Sequence, residues 1–181
     1  MNCWKSINIS RDYGFLWLTM LSISAIILYF LFSYLVLSTL FPATHLVEYG
    51  FFPFLMGLLL VGPIHQLLHC LPLWLTGNRI HFKVRRQRRQ VPIINRNVEK
   101  VISRKLFLVS LLAPAISVTI FCMFASYFMP QFVHYLSIFS ALNIGLSVYD
   151  FIYAKQLLQA PKDCLIEDHE DGFHILIRKA A

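Results

Sequence analysis

Four apolar stretches, each long enough to cross a bilayer, decide what this 181-residue chain can fold into. A helix needs roughly 17–25 residues to span a ~30 Å hydrocarbon core. Residues 14–41, 51–75 and 106–129 contain no Asp, Glu, Lys or Arg, and residues 132–154 contain only Asp150. Charged residues make up 14% of the chain, against about 25% in an ordinary soluble domain. Hydrocarbon offers the backbone no hydrogen bonds, so each stretch has to satisfy its own as a helix. The expected fold is an all-α polytopic membrane protein. Its transmembrane domain covers residues 1–154, with spans at 14–41, 51–75, 106–129 and 132–154. A basic loop covers residues 76–105 and a tail residues 155–181, and Pro130-Gln131 leaves room only for a tight turn.

Charge placement orients the spans. All sixteen Lys and Arg residues fall in three segments: two at the N-terminus, ten between Arg79 and Lys105, and four from Lys155 onward. Four spans put these three segments on one side, which the positive-inside rule assigns to the cytoplasm. The expected protein is therefore multi-pass, in the cell (plasma) membrane, with both termini cytoplasmic. The same placement explains the sequence pI of about 9.4 without nucleic acid as a partner. The first stretch is too long for the h-region of a signal peptide, and Phe41-Pro42-Ala43 is no A-x-A-like cleavage site. It is expected to remain as an anchor.

The polar segments carry some order. Ile80, Phe82 and Val84 alternate before a basic cluster ending at Arg89, which reads as a short strand or an interfacial segment touching anionic lipid. A solvated loop that holds topology is the simpler use of that cluster. Leu165 and Ile166, then Phe173, Ile175 and Ile177 around Asp171-Gly172, predict a small β-hairpin in the C-terminal tail. The four cysteines form no C-x-x-C pair and read as small buried hydrophobes. Trp17 and Trp74 are placed to anchor span ends at the interface. His45, His81, His134, His169 and His174 lie in loops or near span ends and read as ordinary polar residues.

His65 and His69 are different, because they lie inside a span. Residues at i and i+4 share a helix face, close enough to grip one metal ion. Such a site needs a further donor, and the spans hold one acid, Asp150, with no Lys or Arg to neutralise it. The second and fourth spans run parallel, so their depths compare directly. At ~1.5 Å per residue, His65, His69 and Asp150 come about 15, 9 and 6 Å from the inner ends of their spans. Asn143 lies two turns from Asp150 on the same face, near the level of His65. Cys70 points about 100° away from His69 and is a poor ligand. Interhelical hydrogen bonding of the two imidazoles, and helix capping by Asp150, are the plainer readings.

His65-Gln66-Leu67-Leu68-His69 has the frame of the zincin motif H-E-x-x-H. Together with Asn143-Ile-Gly-Leu-Ser-Val-Tyr-Asp150 on a later span, it resembles the half-sites of site-2-protease-like intramembrane metalloproteases. The layout resembles more closely the small DUF3267 family of membrane zincins, through the four spans, Leu112-Ala113-Pro114 and the tail segment from Ala160 to Asp168. This resemblance, over roughly residues 51–177, implies one Zn²⁺ held by His65, His69 and Asp150, with water in a fourth position. It also implies that Asn143 positions substrate, although its spacing to Asp150 differs by one residue from the site-2 pattern.

The departure is Gln66, which occupies the place of the Glu that serves the family pattern as general base. An amide can orient water but does not accept a proton, and general acid–base catalysis is worth about 10²–10⁴-fold. Three functions stay open. The chain is a non-catalytic or strongly impaired zincin relative that binds a transmembrane or juxtamembrane client, an active intramembrane metalloprotease inactivated here by Glu-to-Gln, or a metal-free structural or lipid-binding protein.

Overall fold

Each apolar stretch forms one helix. The computed structural model describes residues 2–43, 45–77, 80–85, 93–98, 101–169 and 172–177. Strand β1 (Asn2–Ile7) and the short α1 (Ile9–Tyr13) precede α2 (Phe15–Leu40) and α3 (Phe51–Leu75). Strands β2 (Ile80–Arg85), β3 (Ile93–Val98) and β4 (Ile102–Ser103) lead to α4 (Arg104–Phe128). A 3-10 turn at Pro130–Phe132 joins α4 to α5 (Val133–Leu158), and β5 (Leu165–His169) and β6 (Gly172–Ile177) follow. The helices α2 to α5 are long and apolar enough to cross a membrane.

Local chemistry explains where these helices begin and end. Gly77 follows the last turn of α3 at φ +74°, and its N–H closes on the Trp74 carbonyl at 3.0 Å, a left-handed stop that other residues resist. Ser103 caps α4, its hydroxyl accepting from the Leu106 N–H at 3.5 Å. Helix α5 runs beyond the expected residue 154 to Leu158, because Ala154 and Leu157 are buried rather than left in a tail.

Helix α5 is the centre of the bundle, with α2, α3 and α4 all packed against it. A Cβ on Gly145 would overlap the Ile26 side chain, so the glycine sets how near α2 approaches α5. The outer helix faces carry exposed Leu28, Phe32, Phe52, Leu59 and Phe121. Apolar side chains outside and small or polar ones between helices suit a bundle solvated by hydrocarbon. Trp17 and Trp74 are about half exposed, at 51% and 48%.

The expected hairpin is β5 and β6, paired antiparallel from Leu165↔Leu176 to His169↔Gly172. It belongs to a larger sheet with the order β1-β6-β5-β4. Ile7, Ile166, Phe173 and Ile175 form one apolar cluster with Ile9, Leu18 and Leu157, which fastens the sheet to the ends of α2 and α5. The Phe173 ring lies 5.2 Å from that of Phe107 on α4 and 5.1 Å from that of Tyr153 on α5. The sheet thus gathers strands from the N-terminus, the segment before α4 and the tail at one end of the bundle. The alternating Ile80, Phe82 and Val84 lie on a strand, paired antiparallel with β3 from Ile80↔Val98 to Arg85↔Ile93. The rest of the basic cluster, Arg86 to Arg89, and the turn residue Asp171 lie outside the described residues.

Candidate metal centre

Helix α3 presents His65 and His69 on one face, one turn apart, toward α4 and α5. Both imidazoles are buried, at 4% and 1% exposure, and Asp150 on α5 is buried beside them at 7%. Asp150 Oδ2 lies 3.3 Å from His65 Nε2 and 3.3 Å from His69 Nε2, and the two Nε2 atoms are 3.1 Å apart. The three candidate ligands converge on one point.

The far side of each ring shows which nitrogen carries the proton. His65 Nδ1 lies 3.0 Å from Asn143 Oδ1, and His69 Nδ1 lies 2.7 Å from the Ser110 carbonyl oxygen. Both oxygens only accept, so each Nδ1–H donates. The amide orientation of Asn143 is set in turn by its Nδ2, which donates to the Pro114 carbonyl at 3.0 Å. In the neutral imidazoles each Nε2 then turns a lone pair toward the carboxylate. Such support on the second ring nitrogen is the usual way a metal-binding histidine is oriented.

Three electron-pair donors facing one another repel unless something positive joins them. A proton bridges two such atoms, whereas a divalent ion bonds all three. Among the described residues, Asp150 Oδ2 is buried without a hydrogen-bond partner, as expected of an atom built for a cation. Donors about 2.0–2.1 Å from a tetrahedral Zn²⁺ lie about 3.3 Å from one another. The observed separations of 3.1–3.3 Å match the edges of such a tetrahedron. The residues fit a zinc ion, and two imidazoles with one carboxylate leave a coordination position open.

Asn143 is fully buried, with Oδ1 on His65 and Nδ2 on Pro114, so its amide holds a candidate ligand from inside the bundle. Gln66 is half-buried on α3, one residue beyond His65. Cys70 is buried, with its thiol donating to the Gln66 carbonyl at 3.4 Å, and it is not among the three candidate ligands. Nothing in the side-chain pattern points to Ser110, because it serves His69 through a main-chain carbonyl. Its hydroxyl also donates to the His69 carbonyl at 2.5 Å. A cavity of about 230 Å³ between Tyr49, Phe54, Phe132, Tyr135 and Phe139 lies toward the opposite ends of α3 and α5, with no candidate ligand in its wall.

The DUF3267 family, described as putative zincin peptidase, matches residues 58–165, more than half of the chain. The match takes in His65, Gln66, His69, Ser110, Pro114, Asn143 and Asp150. No curated protein and no solved structure matches.

Proposed function

The chain belongs to the DUF3267 family, and on that premise we propose that it is an integral membrane zinc-binding protein with a zincin-type site that does not hydrolyse peptides at a useful rate. The observation that carries this reading is the convergence of His65 Nε2, His69 Nε2 and Asp150 Oδ2 at 3.1–3.3 Å. Zinc bound there supplies Lewis acidity, able to polarise a peptide carbonyl. A hydrolase also needs a base beside the ion, and in the H-E-x-x-H frame that place falls to Gln66. Its amide orients water without taking the proton. No second acid joins Asp150 in the spans, since Glu48 lies between α2 and α3 and every other acid lies in the segments that carry the Lys and Arg residues.

A site that can hold a metal but lacks its base suits binding better than turnover. The partner in this reading is a transmembrane or juxtamembrane segment of a client protein within surrounding lipid. The protein lies in the cell membrane with both termini in the cytoplasm. Supporting a shared cytoplasmic side for the termini are the positive-inside rule and the sheet that joins segments from all three basic regions. The test is the metal content of detergent-purified protein. One zinc per chain is expected, falling to background in the His65→Ala, His69→Ala double variant. Equal zinc in both proteins, or none in the parent, contradicts the proposal.

A further inference from the structure

Ser110 reaches the site through a group that an α-helix ordinarily keeps for itself. In the α-helical ladder, the carbonyl of residue 110 would accept from the N–H of residue 114. Residue 114 is proline and has no N–H. A proline ring also crowds the carbonyl four residues back, turning it out of line with the helix. The Ser110 carbonyl is thus left for an outside donor, and His69 Nδ1–H meets it at 2.7 Å. The Pro114 carbonyl, one turn further along, accepts from Asn143 Nδ2 at 3.0 Å, and Asn143 Oδ1 accepts from His65 Nδ1 at 3.0 Å. Pro114 thus meets both networks, His69 through its missing N–H and His65, by way of Asn143, through its main-chain carbonyl.

We propose that Pro114 is a positioning residue for the metal centre. By withholding an N–H from α4 it assigns the Ser110 carbonyl to His69, which holds that ring with its Nε2 lone pair toward Asp150. This rests on the metal-site reading given above. Proline also serves in membrane helices simply to kink them, so the test must separate the missing N–H from the shape of the ring.

Pro114→Ala restores the N–H. Alanine is strongly preferred to proline inside a helix, so the metal-free variant should match or exceed the parent in thermal stability. Its Zn²⁺ affinity, measured by competition with a chromophoric chelator in detergent, should nonetheless fall about 10–100-fold, as is usual when a ligand's support is removed. A second variant carries lactic acid in place of Pro114, introduced by nonsense suppression. This group has the alanine side chain but no N–H, and it should retain the parental affinity. Parental affinity in Pro114→Ala would overturn the proposal. So would a lactic acid variant as weak as Pro114→Ala, because ring shape would then be the cause. Nitrogen-15 spectra of histidine-labelled protein read His69 whether or not metal binds. A parent that binds no Zn²⁺ would contradict the metal-site reading. In that case loss of the hydrogen-bonded Nδ1–H signal of His69 in Pro114→Ala, with its retention in the lactic acid variant, supports the role of Pro114. An unchanged signal in Pro114→Ala overturns it.

Discussion

Asn143 and Asp150 lie seven residues apart on one face of α5 and serve His65 from opposite sides of its ring. Asn143 Oδ1 takes the Nδ1 proton at 3.0 Å, and Asp150 Oδ2 stands 3.3 Å from Nε2. A helix returns to the same face after two turns, so one segment supplies a candidate ligand and the group that orients its neighbour. Asn143→Ala should therefore weaken Zn²⁺ binding about 10–100-fold, although Asn143 is not itself a proposed ligand. Asn143→Asp keeps an acceptor at that place and should lose less. Chelator competition measures both, and parental affinity in Asn143→Ala would remove the supporting role.

Gln66→Glu is the change expected to confer activity. It places a proton acceptor one residue from His65 without altering either histidine, and such a base is worth about 10²–10⁴-fold. Cleavage of a membrane-embedded reporter substrate should be seen with Gln66→Glu, be blocked by chelator and be absent in the parent. Comparable chelator-sensitive cleavage by the parent would mean that another group acts as base.

Topology can be read by labelling with a membrane-impermeant maleimide in intact cells. A cysteine at Leu46, exposed between α2 and α3, should be labelled from outside. The exposed native Cys3 and a cysteine at exposed Lys162 should be labelled only after lysis. Outside labelling of either of the last two would contradict cytoplasmic termini.

Cys164, outside the spans, gives a pH dependence with a definite sign. Burial in the cluster beneath the sheet pushes its thiol above its ordinary value, against the pull of the Arg104 guanidinium. An acid whose pKa is raised by folding ionises first in the unfolded chain, so its contribution to stability is present below the unfolded value and lost as pH rises toward the folded one. Unfolding of the detergent-solubilised protein should thus become easier above about pH 8.5, the ordinary thiol value. Cys164→Ala should show a smaller decline between neutral pH and pH 10. An identical decline in both proteins would assign it to other groups.

The three candidate ligands were legible in the sequence because ionisable side chains are rare in these spans. An i,i+4 histidine pair and a lone aspartate stand out against Leu, Ile and Phe, and helix rise alone brings them to similar depth. The supporting network was less legible. Ser110 acts through a carbonyl that every residue has, and the signal is the proline four residues later, whose effect appears only when α3 packs alongside. Strand β1 is not legible in the sequence for another reason. Asn2–Ile7 pairs with β6 at the far end of the chain, and its alternation is too short to identify a strand without that partner. The extra turn of α5 follows from the same sheet, which buries Leu157 where composition alone predicts a polar tail.

X-ray absorption at the zinc edge of the purified protein tests the metal centre most directly. The predicted shell has two imidazole nitrogens at about 2.0–2.1 Å and carboxylate oxygen at about 2.0–2.2 Å, with Asp150→Asn changing the oxygen contribution. A sulfur shell near 2.3 Å, which would implicate a cysteine such as Cys70, or a spectrum without imidazole scattering, would contradict a site built from His65, His69 and Asp150.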